Sequence, residues 1–231
     1  MQNFDEQLAE IDSMIEAKII DPTDNSKVII DGIINPEDYL KAKYKILWIL
    51  KEPRCDYGGW DMRLALKGLK EDRRPGWRYA FNKIIYTSFG ILNNFEEWGN
   101  MDYIKDNPEM KDILKSIAYI NLKKLPNISD SYTSNNDHIR NAYERDKDII
   151  MAQINLFNPD IIIGGNTLKF ILNDLGISAG QMINYNTISY LATKDRLFIN
   201  AKHPTYYKIP EANYSDDIIT TSKRWAIEFD K

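Results

Sequence analysis

The chain has a single cysteine, Cys55, and only two histidines, His138 and His203. One cysteine excludes an internal disulfide and any zinc or iron–sulfur site built on four thiolates. No apolar run approaches the roughly 18 residues that a membrane-crossing helix requires. The opening segment, MQNFDEQLAEIDSMIEAKII, is acidic and amphipathic. It fits neither a signal peptide nor a basic transit peptide, so a cytoplasmic location is the expectation. Excess positive charge is also missing, the net charge being −4. Phosphate neutralisation supplies most non-specific affinity for nucleic acid, so any such contact here has to come from a local basic patch.

What is present is the composition of an ordinary globular protein, 43% hydrophobic and 28% charged over 231 residues. That length suits a single α/β domain, 1–231, with an N-terminal helical extension over about 1–43. Leu8, Ile11, Ile15 and Ile19 recur at helical spacing, which predicts an amphipathic helix near Asp5 to Lys18, ended by the turn residues of DPTDNSK. Asn35 followed by Pro36 predicts another helix start.

YKILWIL (44–50), SIAYINL (116–122) and PDIIIGG (159–165) are continuous apolar runs, the pattern of strands buried on both faces. Helical patterns lie between them. TISYLAT and RLFINA predict a strand pair turning at Lys194 and Asp195, and a last helix is expected over about Asp216 to Phe229. Alternating strands and helices predict a three-layer α/β fold with a mainly parallel sheet.

In open α/β sheets ligands bind beyond the carboxyl ends of the strands, so the residues just past each predicted strand are the candidates. After the first come Lys51, Glu52 and Pro53, then Tyr57 and Trp60. After the second come Asn121, Lys123 and Lys124. Gly164, Gly165, Asn166 and Thr167 follow the third, and His203, Pro204, Thr205 and Tyr206 follow the last. Each has a plain structural alternative. Glu52 could be a solvated carboxylate, Asn121 a turn residue, Asn166 or Thr167 a helix cap, and Lys123 and Lys124 surface charges. Taken together they offer more. An amide can read a ring edge as donor and acceptor, a carboxylate can orient water, and an imidazole can stabilise developing negative charge.

The order LWILKEP, YINLKKLP, NPDIIIGGNTLKFIL and AKHPTYY resembles the uracil-DNA glycosylase superfamily, over about Tyr44 to Tyr207. The resemblance implies a three-layer α/β/α sandwich around a mainly parallel sheet of four or five strands. It implies a DNA glycosylase acting on a flipped-out base, uracil by default, with DNA as partner and with no cofactor and no metal. Glu52 would position or activate water, Asn121 would read the base, and His203 would hydrogen-bond a base carbonyl. Tyr57, Trp60 or Phe81 would stack on the base. Pro204, Thr205, Tyr206 and Lys208 would meet the DNA in the loop after the histidine, and Lys123 and Lys124 would contact phosphates. Three features depart from the family pattern: Leu50 and Lys51 stand where it carries glycine, Thr205 replaces serine, and the loop RCDYGGWDMR has no counterpart. The alternative is a relative that binds a nucleotide, nucleobase or protein without glycosylase chemistry.

Overall fold

The fold was analysed in a computed structural model that describes residues 2–20, 26–55, 57–69, 75–127 and 133–231. Most of the turn expected at DPTDNSK, and Asp56 of the loop after the first strand, lie outside these residues. Chain order begins with α1 (Gln2–Lys18), the short strands β1 (Ile29–Ile30) and β2 (Gly32–Ile33), α2 (Pro36–Lys41) and β3 (Ile46–Leu50). It continues through β4 (Trp60–Asp61), α3 (Met62–Lys67), α4 (Pro75–Leu92), a 3-10 helix over Pro108–Ser116 and β5 (Ile117–Asn121). Then come α5 (Asn136–Phe157), β6 (Ile161–Gly165), α6 (Leu168–Ile171), β7 (Ile183–Tyr185), β8 (Ile188–Ala192), β9 (Leu197–Ala201) and α7 (Glu211–Glu228).

The three continuous apolar runs are strands buried at every position, because helices cover both faces of the sheet. Side chains alternate across β3. Ile46, Trp48 and Leu50 face a core shared with Phe81, Ile84 and Ile85 of α4 and Tyr214, Ile218 and Trp225 of α7. Leu47 and Ile49 face the opposite core, built with Ile139, Tyr143, Ile150, Ile154 and Phe157 of α5 and Leu168 and Ile171 of α6. Each such side chain contributes on the order of 1.5–3 kcal/mol through burial. A smaller cluster packs α1 onto α5 through Ile11, Ile15 and Ile149.

Four strands form a parallel centre in the order β5-β3-β6-β9. Among the described residues the sheet has seven strands and is mixed, which corrects the expected four or five. Antiparallel β2 extends one edge, and the β8–β7 hairpin extends the other. Of these edge strands β8 is the expected TISYLAT strand, whereas β2 and β7 leave weaker signals. Gly32–Ile33 is only two residues long, and Ile183–Tyr185 is largely exposed, so neither leaves an apolar run. Past β6, α6 is regular only from Leu168 to Ile171, and the turn that follows ends at Gly176 with φ +73°.

Local signals account for the ends of several elements. The Asn35 side chain accepts from the backbone N–H groups of Glu37 and Asp38, capping α2 with Pro36 in its first turn. The β3-to-β5 connection leaves through α4 on one face, whereas the β6-to-β9 connection leaves through α6 on the other. The ends of β3 and β6 therefore flank the topological switch point, where a doubly wound sheet opens a crevice.

Candidate functional site

β3 and β5 are neighbours in register, Leu50 opposite Asn121. Beyond the sheet their chains stay together, with Leu122 N–H donating to Leu50 O at 3.0 Å and Lys123 N–H to Lys51 O at 2.9 Å. This run carries Glu52 alongside Lys123. The Glu52 carboxylate accepts from Lys123 Nζ at 2.8 Å and from Asn127 Nδ2 at 3.1 Å. Lys123 also donates to Pro126 O at 3.0 Å. Lys123, expected at a phosphate, is thus paired with the candidate carboxylate.

Asn121 ends β5 with 0% exposure. Its backbone N–H donates to Asp31 Oδ2 at 2.8 Å, and its amide nitrogen lies 3.5 Å from the same oxygen. Its Oδ1 is 3.5 Å from the Tyr119 hydroxyl. Beneath it lies a buried polar cluster. Lys124 Nζ donates to Asp31 Oδ1 at 2.6 Å and to Gln153 Oε1 at 2.7 Å, and Gln153 Nε2 donates to the Asp31 carbonyl at 3.0 Å. Lys124 is 0% exposed, which corrects its expected place at a phosphate. Burial pulls its pKa below the ordinary lysine value, and Asp31 opposes that shift.

His203 follows β9 and is half-buried. Its Nδ1 lies 2.8 Å from Thr205 Oγ1 and accepts from the Thr205 N–H at 3.3 Å. A backbone N–H can only donate, so Nδ1 is the acceptor and the proton sits on Nε2. Burial, then the charges of Lys51 and Lys83, lower the His203 pKa to about 4. Near neutrality the ring is therefore a neutral Nε2–H donor. Gly165 at the end of β6 makes room for this loop: a Cβ there would overlap Leu50 and lie 3.2 Å from Pro204 Cδ. The next residue, Asn166, adopts φ +62° and donates its N–H to Ala201 O at 2.8 Å. Thr167 stands in the cap position of α6, but its hydroxyl turns to Ile49 O of β3 at 2.6 Å.

The three stacking candidates separate. Tyr57 is 73% exposed. Trp60 is half-buried and fixed by the parallel pairing of β4 with β1, opposite Ile29. Phe81 is buried and packs on Tyr119 with ring centroids 5.6 Å apart, which links it to the Asn121 strand end. It lines a cavity of about 200 Å³ together with Arg78, Ile85, Tyr86, Tyr103 and Glu211. Beside it, a groove of about 400 Å³ runs along Pro204, Thr205 and Tyr207, with Arg78, Asn82 and Lys83 opposite. Pro204 is buried, whereas Thr205, Tyr206, Tyr207 and Lys208 are exposed, Tyr207 at 84%.

The ends of β3, β5, β6 and β9 thus bring Glu52, Asn121 and His203 to one edge of the sheet. Glu52 keeps its carboxylate paired, and Asn121 is closed off from solvent. Sequence reasoning missed Asp31, Gln153, Asn127 and Lys83. Two of them left a trace: Asp31 is the lone carboxylate inside VIIDGII, and Lys83 is a cation among apolar residues in FNKIIY. A charge inside such a run calls for a buried partner.

Comparison with known proteins adds no identity, since no family model matches the chain and no curated protein sequence does.

Proposed function

We propose that this protein hydrolyses the N-glycosidic bond of a base flipped out of DNA, with uracil the default base. The observation that carries the reading is the state of His203. An imidazole at a strand end at this edge of the sheet, held neutral with its Nε2–H available, is suited to donate to an oxygen of a departing base as negative charge builds there. An imidazolium would be the stronger acid, but burial beside two lysines disfavours it.

In this reading the base leaves the stack and enters the crevice. Phe81, next to Tyr119, supplies the aromatic wall. The Glu52 carboxylate, kept in place by Lys123 and Asn127, orients a water toward the sugar carbon. The C–N bond breaks with its electron pair going to the base. Water adds to the sugar carbon, and its proton passes to solvent or to Glu52. The exposed Thr205, Tyr206, Tyr207 and Lys208 face the DNA.

One observation favours the alternative, a relative that binds a nucleobase or nucleotide without catalysis. Both Glu52 oxygens are already engaged, and Asn121 reaches a ligand only if the structure above it opens. The test is base release from single- and double-stranded oligonucleotides carrying uracil, hypoxanthine, xanthine or oxidised pyrimidines. Release by the wild type, with loss in Glu52→Gln, supports hydrolysis. No release at high enzyme excess, together with calorimetric binding of free base or nucleotide, selects the alternative.

A further inference from the structure

We propose that Lys83 is a positioning residue for His203, stapling the loop that carries the imidazole and placing a buried positive charge near it. The role of the imidazole rests on the glycosylase reading, whereas the staple rests on geometry alone.

Lys83 lies on α4 and is 6% exposed, one turn before the buried Thr87. Its ammonium donates to Tyr206 O at 2.8 Å and to Ile209 O at 3.0 Å. It also stands 4.8 Å from the centroid of the Tyr214 ring of α7. One buried cation thus joins α4, the 203–210 loop and α7. Tyr214 of α7 donates its hydroxyl to Lys202 O at 2.9 Å at the start of the loop, and Lys83 anchors its far half. Between the end of β9 and the start of α7 its internal hydrogen bonds are local, Tyr206 N–H to His203 O at 2.8 Å and the Thr205–His203 pair. The two carbonyls that Lys83 holds bracket the exposed Tyr207 and Lys208. Released, the loop would be free to move His203 away from Gly165 and the β3 end.

Placing an ammonium in this position is costly, because burial lowers the Lys83 pKa. A neutral donor such as a glutamine amide could supply hydrogen bonds without that cost. The charge acquires a purpose beside a histidine that has to stay unprotonated. The charged groups around His203 are Lys51 past β3 and Lys83 on α4, with Glu211 at the start of α7 beside Lys83, and Lys169 of α6 and Glu52 beside Lys51. Lys83 therefore does two things: its hydrogen bonds hold the loop, and its charge adds to burial and Lys51 in disfavouring the imidazolium.

The chain has two histidines, and the second, His138, is exposed on α5, so it serves as an internal reference. Imidazole ¹⁵N shifts followed by NMR report both the titration midpoint and the tautomer. In the wild type, His203 titrates near 4 and keeps its proton on Nε2. Lys83→Gln retains a donor and loses the charge, so the His203 midpoint rises while the tautomer stays fixed. Lys83→Met loses both, so the midpoint rises and the two tautomers mix. His138 does not shift in either variant. An unchanged His203 midpoint and tautomer in either folded variant would overturn the proposal, whether or not the protein releases any base. Should Lys83→Met fail to fold, Lys83→Ala takes its place as the donor-free variant, and Lys83→Gln tests the charge.

Discussion

Replacing Lys124 with methionine removes a fully buried ammonium while keeping a side chain of similar length. In the wild type that ammonium lies 2.6 Å from Asp31 Oδ1 and 2.7 Å from Gln153 Oε1. Without it, Asp31 Oδ1 retains only a 3.4 Å approach from Gln153 Nε2, while Oδ2 keeps the Asn121 N–H. Breaking one side of a buried pair costs about 3–5 kcal/mol, because the remaining charge is left uncompensated. Folding stability is about 5–15 kcal/mol for a typical domain, so the variant should be visibly weakened. Urea unfolding, followed by tryptophan fluorescence, should show the midpoint falling by roughly 1–3 M. The double variant Lys124→Met/Asp31→Leu removes the stranded charge. It leaves the Asn121 N–H without its acceptor, at about 1–3 kcal/mol. It should therefore be more stable than Lys124→Met alone. A midpoint shift below about 0.3 M for Lys124→Met would refute the reasoning. It would mean the ammonium is solvated, and Lys124 would again be a candidate for phosphate contact.

Two further predictions concern the His203 loop. The His203 pKa is about 4 when folded and about 6.5 when unfolded, so the unfolded chain binds more protons between these values. The stability contributed by a neutral His203 is complete above about pH 6.5 and declines as pH falls toward 4; His203→Gln should flatten that part of the stability–pH profile, and an unaltered profile would contradict it. Gly165→Ala drives a Cβ into Leu50, itself buried, and against Pro204. A loss of about 1–3 kcal/mol in urea unfolding, with displaced His203 ring resonances, is expected, and a neutral substitution would show that the loop does not rest on Gly165.

Legibility in the sequence followed burial. Runs such as ILWIL and IIIGG are apolar on both faces, so they could be read as central strands without knowing their neighbours. Gly32–Ile33 and Ile183–Tyr185 draw their identity from pairing at the sheet edges, which composition does not record. The site divides in the same way. Positions past strand ends are set by topology, so Glu52, Asn121 and His203 could be singled out from the chain. Their partners come from far away in sequence: Asp31 from before the first central strand, Lys83 from α4 and Gln153 from α5. That is why two adjacent lysines that look alike in YINLKKLP have different fates, Lys123 turning to Glu52 and Lys124 going into the core.

We propose that hydrolysis takes place at the strand-end edge, with His203 as donor and Glu52 as the water-orienting carboxylate. The most direct test is single-turnover base release from a uracil-containing oligonucleotide, with binding of the same oligonucleotide measured in parallel. Wild type, Glu52→Gln and His203→Ala are compared. Both variants should bind about as well as the wild type but release base on the order of 10²–10³-fold more slowly, the loss typical of removing one transition-state donor or general base. Equal release rates in all three proteins, or loss of binding in step with loss of release, would contradict it.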